Sequence, residues 1–171
     1  FEHIPMPHPK HVPAPIPEDE EGRLNFLSSL NILDTDSEEA FDRITRAAGT
    51  IFRVPIVLVC LLDRERNWFK SRHGVGDLRE ADRQSSFCQH VIYSKQRDPL
   101  IVCDTLKDSR YEYSDVVINP PHIRFYAGFP LVMVDADGSP WTLGTLCVYD
   151  VQPREFPPEH REALCMLGRL V

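Results

Sequence analysis

The groups in this 171-residue chain that suit chemistry are five cysteines, seven histidines and an arginine placed directly before two aromatic rings. The cysteines are Cys60, Cys88, Cys103, Cys147 and Cys165, an odd number with no C-x-x-C pair. Free thiols in a reducing, cytoplasmic compartment are therefore expected rather than a disulfide framework, and each thiol reads first as a small buried hydrophobe. Cys88 and His90 lie two apart on an expected helix, so they diverge and cannot serve as nucleophile and base by proximity. His90 has no second ligand at helical spacing and reads as a hydrogen-bonded helix residue rather than a haem or metal ligand. His3, His8 and His11 are irregularly spaced among prolines, which argues against a metal tract. With no Gly-rich phosphate loop, paired carboxylate motif or metal triad, the expectation is no metal, no cofactor and no catalysis in this segment.

The arginine begins the run Arg124-Phe125-Tyr126-Ala127-Gly128-Phe129-Pro130-Leu131. A guanidinium fork suits carboxylates and phosphates and also stacks on rings. Arg124 is either a pocket cation for an anionic ligand or half of an ion pair with Asp104 or Asp108 that pins a long loop. The pair is the expected arrangement, because a buried charge without a partner is costly. Asp104 and Arg110 invite the same reading. The rings of Trp68, Phe87, Phe125, Tyr126 and Phe129 suit either a pocket lining or an ordinary core. Ala127-Gly128 allows a turn or a close approach by something else.

The elements that must position these groups follow from periodicity. Six of the 15 prolines fall between Phe1 and Pro17, which predicts an extended arm, assigned to residues 1–22. The acidic run Glu18 to Glu21 suits a helix start, and a helix is expected from Arg23 to Ile32 with Leu24, Leu27 and Leu30 on one side. Thr35 and Glu38 have the spacing of a capping box for a second helix through Phe41, Ile44, Ala48 and Ile51. After Pro55, the apolar run Ile56 to Leu62 reads as a central strand buried on both faces. A turn over Asp63 to Asn67 leads to its partner strand, Trp68 to Arg72, whose two rings point to opposite faces.

A loop is expected over His73 to Ser86, then a short helix over Phe87 to Tyr93 and a strand over Leu100 to Cys103. The stretch from Thr105 to Ile123 shows little regular pattern, and such a length is functional or pinned by side chains. Strands Phe129 to Val134 and Trp141 to Tyr149 follow, joined at Asp135-Ala136-Asp137-Gly138. Leu143, Thr145, Cys147 and Tyr149 are expected on one face, with Gly144 marking a bulge or a close neighbour. A last helix from Glu159 is expected to run through Val171 and onward, and the missing initiator Met suggests a segment of a longer chain.

At 42% hydrophobic and 26% charged, the chain suits one globular domain. Its net charge of -7 and the absence of a basic run argue against a nucleic-acid partner. No apolar run approaches the ~20 residues of a membrane span, so no membrane is expected for this segment.

Taken in order, Ser86-Phe87-Cys88-Gln89-His90-Val91-Ile92, Val102-Cys103-Asp104, Asp108-Ser109-Arg110-Tyr111, Asn119-Pro120, Ile123 to Leu131 and Gly144-Thr145-Leu146-Cys147-Val148-Tyr149-Asp150 resemble a GAF domain. The resemblance covers about Arg23 to Val171, assigned as the domain 23–171. It is closest in type to the GAF domains of histidine kinases, diguanylate cyclases and related signalling proteins. It implies an α+β fold related to PAS domains: an antiparallel sheet of about six strands, with the N- and C-terminal helices on one face. On the other face a short helix and loops form a small-molecule pocket. The implied pocket residues are Trp68, Phe87, Cys88, His90, Asp104, Arg110, Tyr111, Arg124, Phe125, Tyr126, Cys147 and Tyr149.

It also implies a non-catalytic sensory or regulatory role, a homodimer through the terminal helices and a covalently linked output domain. The Cys-His pair of bilin-binding relatives is absent, since Gln89 separates Cys88 from His90. The Asn-Lys-Phe-Asp-Glu set of cyclic-nucleotide-binding relatives is not visible. Two alternatives stand beside the regulatory reading: a small thiol-dependent redox enzyme on the same fold, as in relatives that reduce free methionine sulfoxide, and a ligand-free interaction module.

Overall fold

The computed structural model describes residues 11–171. The expected arm therefore lies partly outside the described residues, His3 and His8 included. From 11 to 17 the chain carries neither helix nor strand, and the backbone N–H of Ala14 donates to Gln89 Oε1 at 3.0 Å.

Helix α1 spans Glu20–Ser29, three residues earlier than leucine spacing suggested, because Glu20 and Glu21 fill its acidic first turn. Helix α2 spans Glu39–Phe52 and ends where Arg53 turns left-handed at φ 51. The expected capping box does not form, and no side chain caps α2. Thr35 Oγ1 and Glu38 Oε1 instead accept from the ammonium of Lys70, at 2.8 and 2.6 Å, with the carbonyl of Asp36 as a third acceptor. The Lys70 side chain is fully buried. Leaving that ammonium unpaired would cost several kcal/mol, more than the ~1 kcal/mol of a helix cap, so the lysine wins both groups.

Six strands make one antiparallel sheet in the order β3-β2-β1-β6-β5-β4. They are β1 Ile56–Leu62, β2 Arg66–His73, β3 Glu80–Asp82, β4 Leu100–Val102, β5 Phe125–Val134 and β6 Pro140–Asp150. As expected, β1 is buried along its whole length and lies centrally, between β2 and β6. The short β3 falls inside the stretch read as loop, and β5 begins four residues early, so that Phe125 and Tyr126 are strand residues. Among the described residues there are three further α-helices, α3 Cys88–Ser94, α4 Asp115–Ile118 and α5 Pro158–Gly168, and a 3-10 turn over Thr105–Lys107.

Alternation along the strands builds two cores. Val57, Val59, Phe125, Ala127, Leu146 and Val148 face α2 and α5 and meet Ala48, Phe52 and Leu164 there. Ile56, Leu58, Cys60, Tyr126, Cys147 and Tyr149 face the opposite side, under α3 and α4. Leu27 of α1 packs with Leu61, Trp68 and Leu143. Leu143 was grouped with Thr145, Cys147 and Tyr149 by simple alternation. It joins α1 instead because β5 pairs Leu131 with Gly144 and Val132 with Thr142, leaving Leu143 as the extra residue of a bulge. Gly144 is also a close neighbour, since a Cβ there would lie 1.8 Å from the carbonyl oxygen of Cys60.

Candidate functional site

The sheet face beneath α3 carries a closed cluster of rings and thiols. Phe87, just ahead of α3, stacks on Tyr111 at 4.4 Å and on Tyr126 at 5.0 Å, and meets the edge of Tyr149 at 5.9 Å. Tyr126 and Tyr149 are themselves 5.1 Å apart, and His90 stands edge-on to Tyr111 at 5.0 Å. Offset and edge-to-face arrangements of this kind satisfy the ring quadrupoles. Gly128 makes the packing possible, because a Cβ at that position would meet the Tyr126 hydroxyl at 2.0 Å. The close approach allowed by Ala127-Gly128 is thus the protein's own tyrosine.

Beneath the rings lie Cys60 of β1, Cys88 of α3 and Cys147 of β6, each fully buried. Their sulfurs all lie within 4.8 Å of one another, and the Sγ atoms of Cys60 and Cys147 are 3.6 Å apart. Cys88 Sγ is 2.9 Å from Thr145 Oγ1 and 3.6 Å from Asn67 Nδ2, and Tyr126 directs its hydroxyl toward the same sulfur at 3.8 Å. The Tyr149 hydroxyl lies 3.4 Å from Cys147 Sγ.

The three thiols are not equivalent. Hydrogen bonds from Cys147 and Cys60 hold Cys88 well below the usual thiol range against the opposing effect of burial, with Thr145 and Ser86 adding to them. Burial pushes Cys60 and Cys147 up, and does the same to Tyr126 and Tyr149. Among the three, Cys88 is the one whose thiol is held down rather than pushed up. Burial lowers His90 to about 4, assisted by the charge of Arg110, so its ring is neutral at pH 7.

Of the residues expected to line a pocket, Phe87, Cys88, His90, Tyr111, Tyr126, Cys147 and Tyr149 converge here. Two do not. Trp68 packs against Leu27, and Phe125 points to the α2–α5 side against Phe156; the alternation of β2 and β5 sends both away from this face. Arg124 pairs with Asp104, its Nε and Nη2 lying 3.1–3.2 Å from the carboxylate. Asp108 pairs with Arg110, whose guanidinium sits 5.1 Å from the centre of the Tyr111 ring. Cys60, Thr145 and Asn67 also belong to the cluster but were not singled out by sequence. Finding them required the pairing of Cys60 with Thr145 across β1 and β6.

A different opening lies on the other side of the sheet. A groove of about 760 Å³ runs between the end of α1, the start of α2 and the last turn of α5. Val59, Leu61, Leu131 and Leu143 form its floor, and Leu30, Ile32, Phe41, Gly168 and Val171 its walls.

An antiparallel six-stranded sheet with a helical layer on one face and a ring-filled crevice on the other defines a small α+β domain. The chain belongs to the GAF family, whose model, described as "GAF domain", matches residues 36–171. Among curated proteins it is 38% identical over 140 residues to a cyclic di-GMP phosphodiesterase of Pseudomonas aeruginosa. That alignment covers 82% of this chain and 23% of the relative, so the chain spans less than a quarter of that protein's length. Among solved structures, the GAF domain of an Acinetobacter phosphoenolpyruvate-protein phosphotransferase superposes with TM-score 0.60 at 16% identity, covering 90% of each chain. A far-red cyanobacteriochrome photoreceptor superposes with TM-score 0.59 at 15% identity, covering 89% of this chain and 94% of that one. At such identities these two structures speak to fold alone. No helix among the described residues is long and apolar enough to cross a membrane.

Proposed function

We propose that this chain is a non-catalytic regulatory GAF segment of a cytoplasmic signalling protein whose output is cyclic di-GMP turnover. It passes its signal through the helical layer, across a homodimer formed by the terminal helices. The observation that carries the reading is the 38% identity to one segment of a cyclic di-GMP phosphodiesterase. Two features support the relay over a freely open ligand pocket. Rings of the chain itself occupy the crevice under α3, and the open apolar groove instead lies between α1, α2 and α5.

A thiol-dependent reductase is the second reading, favoured by the lowered pKa of Cys88. Against it stands access: Cys60, Cys88 and Cys147 are fully buried, and a turnover thiol must reach its substrate.

The test compares cyclic di-GMP hydrolysis by the 171-residue chain, by the longer protein that contains it and by the same protein with this segment deleted. We expect no turnover by the isolated chain, a changed rate on deletion, and dimers in sedimentation equilibrium that part when Leu30 and Val171 are replaced by Asp. Hydrolysis by the isolated chain would refute the regulatory assignment. A strictly monomeric chain would refute the dimer relay.

A further inference from the structure

Three sulfurs from three separate elements meet at one point, and nothing in the regulatory reading uses them. Cys60 comes from β1, Cys88 from the start of α3 and Cys147 from β6, with all three Sγ atoms within 4.8 Å of one another. Three thiolates set around one ion at a bond length of ~2.3 Å and at equal angles lie about 4 Å apart, between the 3.6 Å of Cys60 and Cys147 and the 4.8 Å within which all three sulfurs fall. We propose that Cys60, Cys88 and Cys147 form a three-coordinate thiolate site for a soft monovalent cation, Cu(I).

Donor type and donor number select the ion. Thiolates favour Cu(I), zinc and iron–sulfur clusters over hard cations. Structural zinc sites are almost always four-coordinate, and among the described residues no fourth Cys, His, Asp or Glu joins these three. Three sulfurs alone suit a trigonal Cu(I) centre. The surrounding rings of Phe87, Tyr126 and Tyr149 keep water from the site, which protects the reduced ion.

One further observation bears on the site. Asn67 is 2% exposed and lies beside Cys88, yet its Oδ1 has no hydrogen-bond partner. An orphaned buried oxygen is rare in a native structure, and the same amide sets its nitrogen 3.6 Å from Cys88 Sγ. Binding releases the thiol protons of Cys60, Cys88 and Cys147 to solvent, with no change in the oxidation state of copper or sulfur. The site is independent of the regulatory assignment and survives its failure.

The experiment uses the 171-residue chain with Cys103→Ser and Cys165→Ser, which removes the exposed and half-buried thiols as competing ligands. Cu(I) is supplied anaerobically as its acetonitrile complex, both to the folded protein and during refolding from denaturant, with bicinchoninate as the competing chelator. We expect one copper per chain after gel filtration, and copper X-ray absorption fitted by three sulfurs at ~2.3 Å. We also expect a raised melting temperature, because the ion binds the folded state. Cys88→Ala and Cys147→Ala should each weaken retention by about 100-fold, read only in variants whose circular dichroism is native. If either variant fails to fold, the sulfur count in the parent protein still decides. Absence of copper by both routes, a sulfur count other than three, or unchanged retention in a folded Cys88→Ala variant would overturn the proposal, as would preferential retention of Zn(II).

Discussion

Arg124 holds both oxygens of Asp104 at 3.1–3.2 Å, and Asp104 in turn accepts from the backbone N–H of Leu106 at 3.2 Å. Next to this pair, the backbone N–H of Thr105 donates to the carbonyl of Arg124, and its hydroxyl to that of Ile123. The arginine thus fastens the segment from 105 to 123 to the first residues of β5. Arg124 is 30% exposed and Asp104 14%, so the pair falls between a surface ion pair and a buried one. Arg124→Ala should cost about 1–2 kcal/mol in urea unfolding. A stability unchanged within error would mean that the arginine serves a ligand rather than the loop. The ion pair was legible from residue types alone, because a charge entering an apolar strand demands a partner. Its choice of Asp104 over Asp108 was not, since Asp108 is taken by Arg110 through a local bond that only the folded loop reveals. Cys60 reads from sequence only as a small buried hydrophobe for a related reason: its neighbours in the chain are apolar, and its chemistry depends on a sulfur 87 residues away.

The elements that sequence placed well are those with long apolar periodicity. β1 agrees at both ends, and β6 differs by one residue at each. The short ones escaped. β3 reads Glu80-Ala81-Asp82 at the sheet edge, where pairing with β2 rather than burial makes the strand. α4 has four residues, too few for a helical period to show. Thr35 and Glu38 carried a valid helix-start pattern that lost to a lysine one strand away, a competition invisible in a local window. Gly144 was legible, and both meanings of an in-strand glycine apply to it: it follows the bulged Leu143 and lets β1 come close. Gly144→Ala would set a methyl 1.8 Å from the Cys60 carbonyl, against backbone rather than a flexible side chain. The central ladder would have to separate, and we expect a loss of about 3 kcal/mol or more, together with weakened amide protection in β1. Thermal melts and hydrogen exchange check this; a loss below about 1 kcal/mol would show that the ladder can shift without cost.

Across the whole molecule, one buried carboxylate joins α1 to the sheet. Glu20, 6% exposed, accepts from Arg23 Nε and Nη2 at 2.7 Å and also from Arg83. Arg23 continues to the carbonyl of Leu62 and Arg83 to that of Asp63, so α1, the β1–β2 turn and the segment before α3 share one clasp. Burial pushes the Glu20 carboxyl up, but the hydrogen bonds from Arg23 and Arg83 outweigh it and leave the group below 4.5. A lowered carboxyl stabilises the fold above its unfolded value and withdraws that support as pH falls through the folded one. His90 acts in the same direction at higher pH. Its folded value is about 4 against 6.5, so between these the unfolded chain takes up a proton that the folded chain refuses. Acidification from pH 7 should therefore lower the melting temperature in two limbs. The first, from 6.5 toward 4, belongs to His90; discounted for the ring's partial exposure, it is of the order of 1–2 kcal/mol. The second, below 4.5, belongs to Glu20 together with the other lowered carboxyls, Asp19, Asp34, Asp108 and Asp135 among them. His90→Gln should flatten the upper limb alone. Glu20→Ala should remove its share of the lower limb and cost about 3–5 kcal/mol already at pH 7, because two buried guanidinium groups lose their counter-charge. An unaltered upper limb in His90→Gln would place that titration elsewhere. A Glu20→Ala variant as stable as the parent would mean that α1 is held to the sheet by its leucines and not by the clasp.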